Sequence, residues 1–342
     1  MIKSIHFKNF KILRDSILPL SQFTLIVGPN GSGKSTAMRA LSFAVQPDEL
    51  SFRETVTVGL EDSVNEPIEI VIEWDGLADT PLIGRTKWIR RANGAVSRNG
   101  LDFDGEAWQG ADPLKSALRD SLRNFRIFSF DPEAISAPID LYPRHELAPD
   151  GANLAGVLDT LRDSEPERFE ALNEELQRWL PEFDRILFIT PSQGKRAFLL
   201  RTRIGGHKIP AADLSHGTLL ALAFLTLAYI PSPPSIVCFE EPERGIHPRL
   251  LREIRDGMYR LSYPEAFNEK REPVQVIATT HSPFLLDLYK DHPEEIVIAH
   301  KDRENVRFER LSEKPDYDEF LRDTPLGEVW YSGVLGGVPN HP

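Results

Sequence analysis

The segment 28–36 constrains the fold of this chain more than any other part of its sequence. It reads Gly-Pro-Asn-Gly-Ser-Gly-Lys-Ser-Thr and matches the P-loop pattern, Gly-x-x-x-x-Gly-Lys-Ser, at every fixed position. The apolar run Phe23–Val27 precedes the segment, and apolar residues at helical spacing follow it to about Val45. The order of strand, glycine-rich turn and helix therefore predicts an α/β fold built around a phosphate-binding turn.

Each part of this pattern has a chemical role. The glycines let backbone N–H groups converge on phosphate oxygens, and the positive N-terminus of the following helix faces the same anion. We predict that Lys34 places its charge on the β- and γ-phosphates of a nucleotide and that the hydroxyl of Ser35 binds Mg²⁺. The predicted nucleotide-binding residues of this segment are Asn30, Gly31, Ser32, Gly33, Lys34, Ser35 and Thr36.

Two neighbouring carboxylates, Glu240 and Glu241, follow a second apolar strand that the sequence predicts over 235–239. A phosphate site needs one acid in the metal shell and another that orients the attacking water or accepts its proton. We assign Glu240 to the metal and Glu241 to the water. A solvated acidic turn is the alternative interpretation of this pair.

Two further elements carry groups that can contact an anion. Ser215 and Gly217 begin the apolar helical segment 215–230, whose first N–H groups can receive a phosphate. An ordinary helix N-cap is the alternative interpretation of Ser215. His281 follows a strand predicted over 274–279, where a histidine can hydrogen-bond a γ-phosphate or a water, or serve the structure alone.

Taken in order, these four elements resemble the heads of ABC-type ATPases. Within that class, the chain is similar to the branch shared by the recombination mediator RecF, the Rad50 and SMC heads, and the OLD (overcoming lysogenization defect) ATPases. The segment 240–248, Glu-Glu-Pro-Glu-Arg-Gly-Ile-His-Pro, is especially like the OLD-type AAA family ATPases. The resemblance covers 1–48 and 211–300 well, and 50–210 only in general layout.

This resemblance implies a mechanism in which two heads close head to tail around two ATP molecules with Mg²⁺. It implies that Ser215 contacts the γ-phosphate held by the other subunit, and Gly217 is predicted to bind nucleotide beside it. It further implies that Glu241 is the catalytic glutamate, that Lys34 acts with it, and that His281 is the switch histidine. The sequence departs from the transporter pattern at Glu240, where transporters have Asp, and at the two residues that flank Gly217.

The fold implied is a P-loop NTPase with an ABC-type head, in which a mixed sheet core carries an antiparallel β subdomain and a helical lobe. We predict a single ABC-type ATPase domain over 1–342. Three turn signals, Asn-Gly at 93 and 99 and Asp-Gly at 104, favour hairpins in the β insertion. The predicted parts are a nucleotide-binding core at 1–48 and 211–300, the antiparallel insertion at 50–110, the helical lobe with two strands at 111–210, and a charged C-terminal tail at 301–342.

Composition excludes several classes of protein. A hydrophobic fraction of 41% is too high for a disordered chain. The longest apolar run, 219–230, is shorter than the roughly 20 residues that a membrane span needs. The N-terminus alternates apolar and polar residues and lacks the apolar centre of a signal peptide. A single cysteine, Cys238, cannot form an internal disulfide, and we therefore expect a cytoplasmic protein. We expect no membrane partner, because no segment is predicted to span a bilayer.

Two basic stretches are candidates for contact with nucleic acid, although the formal net charge is −12. Residues 84–101 contain no acid, and Arg249, Arg252 and Arg255 recur at helical spacing. Solvated hairpin and helix faces are the alternative interpretation of both. The basic residues of the first stretch are Arg85, Lys87, Arg90, Arg91 and Arg98.

The expected function is an ATP-binding and ATP-hydrolysing head that dimerises around ATP, or forms a higher oligomer. It would drive or gate a separate effector in antiviral defence or DNA maintenance. We expect no Toprim nuclease, because the Asp316 and Asp318 pair lies in a polar stretch that suits a solvated tail. Two alternatives stay open: a RecF-like repair protein whose DNA binding is gated by ATP, and a structural scaffold that ATP assembles with little turnover.

Overall fold

The computed structural model describes residues 1–45, 67–77, 80–90, 96–104, 112–302, 305–315, 317 and 324–336. The chain divides into two compact units. The first consists of Met1–Arg126, Ser235–Glu240 and Gln275–Pro342, and the second of Ile127–Pro234 and Glu241–Val274. This division follows packing, whereas the boundaries proposed from the sequence follow the order of motifs and stay a prediction.

The described strands form three sheets. In chain order they are β1 (Ile2–Phe10), β2 (Leu13–Pro19), β3 (Phe23–Val27), β4 (Ile68–Leu77), β5 (Thr80–Arg90), β6 (Val96–Asp104), β7 (Phe125–Phe128), β8 (Ile139–Asp140), β9 (Phe183–Ile189), β10 (Lys195–Thr202), β11 (Lys208–Pro210), β12 (Ile236–Glu240), β13 (Gln275–Thr280), β14 (Ile296–Asp302) and β15 (Asn305–Arg310).

The described α-helices lie between these strands and after β15. In chain order they are α1 (Lys34–Val45), α2 (Asp112–Arg123), α3 (Pro132–Ser136), α4 (Leu154–Ser164), α5 (Pro166–Trp179), α6 (His216–Tyr229), α7 (Leu251–Ser262), α8 (Pro283–Asp287) and α9 (Leu326–Tyr331). Among the described residues, no helix has both the length and the apolar character needed to cross a bilayer.

The mixed sheet of the first unit has the strand order β15-β14-β3-β13-β12, followed by β7, within which the division between the units falls. Strands β14, β3, β13 and β12 run parallel, and β15 is antiparallel to β14. Every residue of β3 and β13 is buried, as is typical of parallel strands covered on both faces. This sheet, the antiparallel sheets and the helices confirm the predicted α/β fold class.

An antiparallel sheet with the order β2-β1-β4-β5-β6 also belongs to the first unit. The buried side chain of Gln275, in β13 of the mixed sheet, joins β1 to that sheet. It accepts a hydrogen bond from Ile2 N (3.0 Å) and donates to Ile2 O (2.7 Å). The predicted turn at Asn99-Gly100 is wrong. These residues lie inside β6, where the register shifts opposite Arg85 and Lys87 and β6 holds one extra residue. Of the other two turns, 93–94 and position 105 lie outside the described residues.

The second unit combines the β9–β10 hairpin with α3–α7. Apolar residues at helical spacing in 153–180 predict one helical stretch with an apolar stripe. The stripe is confirmed, since Phe169, Leu172, Leu176 and Trp179 are all buried. The stretch forms two helices instead of one, because Pro166 removes a backbone donor and begins α5 after a break at Glu165. Helix α6 is buried on nearly every side, as expected for a helix that is apolar all round.

The C-terminal region differs from the predicted charged tail. Residues 305–310 form the edge strand β15 of the mixed sheet, with Val306 and Phe308 buried and their neighbours Asn305 and Arg307 exposed. Its two apolar residues alternate with charged and polar ones, so the strand is difficult to recognise in the sequence. Beyond it, Trp330 of α9 and Leu335 are buried, so this segment packs onto the first unit.

Candidate nucleotide-binding site

The P-loop connects β3 to α1 and has the backbone conformation that its glycines allow. Gly31 has φ = 72° and Gly33 has φ = 86°, in the left-handed region that residues with a Cβ avoid. Gly33 lies directly before α1, and Ala37 N donates to its carbonyl oxygen (2.8 Å). The first helical residues are therefore Lys34, Ser35 and Thr36, and the N–H groups of this turn end at the loop.

The base of the loop is packed tightly against a neighbouring strand. A Cβ on Gly28 would lie 2.7 Å from the carbonyl oxygen of Ala299 in β14 and 2.9 Å from Ser32 Oγ. Ser32 is fully buried, and its N–H donates to Pro29 O (3.2 Å). Glycine is thus required at position 28 by the close approach of two backbones.

Lys34 is folded into the loop. Its side chain is only 5% exposed, and Nζ donates to the carbonyl oxygens of Gly28 (2.8 Å) and Pro29 (2.9 Å). Asn30 and Gly31 are exposed at the tip, while Ser35 and Thr36 are half-buried in the first turn of α1. The loop therefore combines a held ammonium group, an open tip and a helix N-terminus, which together suit a phosphate anion.

The register of the parallel strands aligns three of the predicted elements. Thr280 of β13 lies opposite Val27 of β3, and Glu240 of β12 lies opposite Thr279. The carboxyl ends of these strands therefore meet at one edge of the sheet. The P-loop, Glu240 and His281 all follow or occupy those ends, which is where ligands bind in open α/β sheets.

Glu240 has the character expected of a cation ligand. Its Oε1 atom is buried and has no hydrogen-bond partner among the described residues. Burial, and then the nearby Glu240 carboxylate, raises the pKa of the Cys238 thiol well above its usual range. Mg²⁺ commonly takes one or two protein ligands and completes its shell with phosphates and water. A buried, unsatisfied carboxylate oxygen and the Ser35 hydroxyl are donors of the right type for that ion.

Glu241 has a strained backbone and begins the second unit. Its φ of 48° is left-handed, which is uncommon for a residue with a side chain and is often found at functional sites. Arg244 N donates to Glu241 O (2.9 Å), and Ile246 N donates to Glu243 O (3.0 Å), so the chain turns tightly here. The division between the units falls between Glu240 and Glu241.

Ser215 and Gly217 also belong to the second unit, at the start of α6. Ser215 is the N-cap, and its Oγ accepts from Thr218 N (3.1 Å) and lies 2.8 Å from Thr218 Oγ1. A Cβ on Gly217 would be 3.2 Å from the carbonyl oxygen of Gly245. The start of α6 thus lies against the turn that follows Glu241. The assignment of Ser215 and Gly217 to nucleotide binding stays a prediction.

Sequence reasoning missed the residues that surround the loop. Gly33 is enclosed by Ile12 of the β1–β2 turn, Leu13 of β2 and Val306 of β15, each 3.2–3.3 Å from a Cβ placed there. Ala299 and Lys301 of β14 approach Gly28 and Gly31. These residues belong to no recognised motif. Only the alternation of polar and apolar residues in β15 gives a signal in the sequence.

The described part of the first basic stretch is largely occupied by internal contacts. Arg85 Nη1 lies 2.8 Å from Glu69 Oε1, and the Trp88 ring is buried and stacked on Phe43 at 4.5 Å. Its other arginines, Arg90, Arg91 and Arg98, lie outside the described side chains, as do Asp316 and Asp318 of the C-terminal region.

The second basic stretch is divided between two elements. Arg249 lies in a 3-10 turn and Arg252 in the first turn of α7, and both are exposed. Arg255 donates to the Asp256 carboxylate (2.6 Å). Two of these three cations therefore face solvent.

Comparison with known proteins decides the family. Residues 23–287 match the family described as "AAA domain, putative AbiEii toxin, Type IV TA system", which is well over half of the chain. The chain belongs to this AAA domain family. The match begins at β3 and ends in α8, so it includes the P-loop, the start of α6, the Glu240–Glu241 pair and His281.

Curated relatives of this AAA-family protein include two bacterial proteins. The OLD nuclease of Thermus scotoductus is 25% identical over 96% of this chain and 68% of the nuclease. The UvrABC system protein A of Deinococcus radiodurans is 27% identical over 72% of this chain, which spans only 25% of that relative.

Among solved structures, an SMC head bound to the C-terminal winged-helix domain of ScpA has a TM-score of 0.59. It is 16% identical, and the match covers 90% of this chain and 96% of that one. At this identity the likeness shows the fold. Together, the family, the OLD relative and the fold confirm the predicted resemblance to ABC-type, OLD-like ATPase heads.

Proposed function

We propose that this protein binds and hydrolyses ATP with Mg²⁺, and that two copies close head to tail around the nucleotide to drive or gate a separate effector. The observation that carries the proposal is the strand register, which aligns the P-loop, Glu240 and His281 at one edge of a parallel sheet. The loop beside them has the left-handed glycines and buried lysine that a phosphate site needs. Membership of an AAA domain family supports ATP as the nucleotide.

In this proposal, each residue has a separate task. Lys34 and the first N–H groups of α1 hold the phosphates, and Glu240 and Ser35 are the protein ligands of Mg²⁺. When bound, Mg²⁺ supplies positive charge that stabilises the phosphate oxygens. Glu241 orients the attacking water and accepts its proton, and His281 hydrogen-bonds the γ-phosphate or that water. Ser215 and Gly217 serve the nucleotide held by the other copy.

The biological role is proposed from the relatives. The OLD nuclease and UvrABC system protein A support a role in DNA maintenance, and antiviral defence is the alternative role that the sequence resemblance implies. The SMC head was solved with a bound domain of ScpA, which supports an effector or partner protein for a head of this fold.

Two substitutions test the ATPase mechanism. We expect Lys34→Ala to weaken ATP binding at least about 100-fold, because it removes the ammonium group held in the loop. We expect Glu241→Gln to bind ATP, to accumulate a closed dimer and to lose about 100-fold or more of the turnover, as is typical for removal of a general base. Phosphate release and size-exclusion chromatography with and without ATP measure these effects.

Matched controls make the result specific. Lys290→Ala and Glu265→Gln change exposed residues of the same types and should leave binding and turnover unchanged. Hydrolysis at the wild-type rate by Glu241→Gln would show that another residue activates the water. A stable ATP-bound assembly with negligible wild-type turnover would instead favour the structural scaffold.

The exposure of Arg249 and Arg252 favours a second candidate, a RecF-like protein in which ATP gates DNA binding. If it is correct, duplex DNA raises the rate of ATP hydrolysis, and Arg249→Glu with Arg252→Glu removes the stimulation. Equal rates with and without DNA would count against this candidate and leave the ATPase proposal intact.

A further inference from the structure

Strand β14 extends beyond the strand it pairs with. Ile298 of β14 lies opposite Val27, the last residue of β3, and β3 then gives way to the P-loop. Strand β14 continues to Asp302 and pairs on its other side with β15. On the side that faces β3, its last residues therefore run alongside the phosphate loop.

Residues 299–302 form an overhang of β14 beyond the end of β3. The alternation of side chains along this overhang places two of its residues beside the loop. Ala299 and Lys301 are two positions apart and share one face of β14. The Ala299 carbonyl oxygen lies 2.7 Å from a Cβ placed on Gly28, and Lys301 Nζ lies 3.6 Å from a Cβ placed on Gly31. The ammonium group of Lys301 is thus beside the exposed tip of the P-loop.

The opposite face of the overhang is anchored. His300 is buried, lies 3.0 Å from the Glu309 carboxylate, and has its ring within 2.6 Å of a Cβ placed on Gly336. The Val306 carbonyl of the paired strand accepts from Ser16 Oγ (2.5 Å). These contacts fix the backbone from which Lys301 projects.

Lys34 and Lys301, which both lie at the loop, have different environments. Lys34 is 5% exposed and donates to loop carbonyls. Lys301 is exposed, and its side chain makes neither a hydrogen bond nor an ion pair with any of the described residues. An ammonium group is a compact point charge on a flexible stem, so it can reach an anion bound at the tip of the loop.

We propose that Lys301 is a second cationic contact for the phosphates of the nucleotide bound at the P-loop. This inference rests on the proposed function and adds a residue to the same site. Glycine at position 31 is part of the arrangement, since a side chain there would occupy the space between the ammonium group and the loop. The overhang of β14 is then the element that positions Lys301.

The test is the equilibrium binding of ATPγS with Mg²⁺, measured by calorimetry on the full chain. We expect Lys301→Ala to raise the Kd about fivefold to twentyfold and Lys301→Glu to raise it further, because a phosphate loses a charged partner. Lys301→Arg should keep the Kd within about threefold of wild type, since the charge is retained. Lys290→Ala, another exposed lysine of the first unit, should bind as wild type does.

The outcomes separate this inference from the proposed function. If the wild type binds ATPγS, Lys34→Ala does not, and Lys301→Ala and Lys301→Glu bind as tightly as the wild type, then Lys301 is not a phosphate contact and the proposed function stands. If the wild type binds no nucleotide, both proposals fail. Thermal melting of each variant shows that a loss of binding is not a loss of fold, which is expected because Lys301 is exposed.

Discussion

Two helices of this protein begin at segments that the sequence assigns to the same nucleotide, and their N-termini differ. Helix α1 follows Gly33, which has no side chain to cap it, and its first turn opens onto a loop with left-handed glycines. Helix α6 follows Ser215, whose hydroxyl already accepts from Thr218 N. The residue before α1 provides no side-chain cap, whereas the side chain of Ser215 caps the N-terminus of α6.

This difference in capping suits the two helix N-termini to different tasks at a nucleotide. An N-terminus without a side-chain cap leaves its N–H groups to an anion, and the loop adds the Lys34 charge. A capped N-terminus needs no ligand to be stable. The α1 terminus is therefore suited to hold phosphate in a single copy, whereas Ser215 fits a residue that meets a nucleotide only when another copy brings it.

The largest effect is expected at the loop. Gly33→Ala places a Cβ at φ = 86° and within 3.2 Å of Leu13 and Val306, whereas Gly194→Ala meets nothing within 4 Å at φ = 73°. Both pay about 1–2 kcal/mol of backbone strain, but only Gly33→Ala should also lose ATP binding, by about 100-fold. Urea unfolding and calorimetry measure the two effects. Equal losses of ATP binding in the two variants would contradict a special role for the loop conformation.

An intermediate effect is expected at the start of α6. Ser215→Ala should lower the free energy of unfolding by about 1 kcal/mol, because Thr218 N loses its acceptor, and Ser215→Gly should cost only a few tenths. At concentrations where the chain is monomeric, the Kd for ATP should not change in either variant. Weakened ATP binding by monomeric Ser215→Ala would remove the distinction between the two helix starts.

The smallest effect is expected beneath the loop, at His300. Burial, and then Arg307, lowers the pKa of His300, while Glu309 acts in the opposite direction and Lys314 adds a further repulsion. The neutral ring is therefore favoured in the folded state. This contribution to stability is present above the unfolded pKa of about 6.5 and is lost as the pH falls below it toward the folded value.

His300→Gln should flatten the dependence of the urea midpoint on pH between about 7 and 5. The same substitution at His292, which is exposed, provides the control. If His300→Gln and the wild type lose stability in parallel as the pH falls, the support of the loop does not depend on a neutral His300.

The sequence predicted the parts of the site whose conformation is local. A P-loop is specified by a few adjacent residues, and the buried strands β3, β12 and β13 are short apolar runs. Their parallel alignment follows from the α/β pattern, so the meeting of the P-loop, Glu240 and His281 at one edge could be expected. The roles assigned to these residues stay predictions.

The parts that were missed depend on pairing between distant segments. Residues 305–310 look like a charged tail, and only the neighbouring strand shows that Val306 and Phe308 face the core. Asn99-Gly100 has the composition of a turn, but β5 holds it in an extended, bulged strand. Pairing of this kind overrides local preference because it satisfies backbone groups that a turn would leave to water.

The contact between Gly28 and Ala299 has a consequence for how the chain is made. The glycine emerges early during synthesis, but the strand that encloses it emerges some 270 residues later. Domains begin to fold from the N-terminus as synthesis proceeds. A nascent chain of this protein can form the turn of its P-loop early, yet it cannot enclose that turn until β14 and β15 have left the ribosome. The proposed nucleotide site is therefore completed only at a late stage of synthesis.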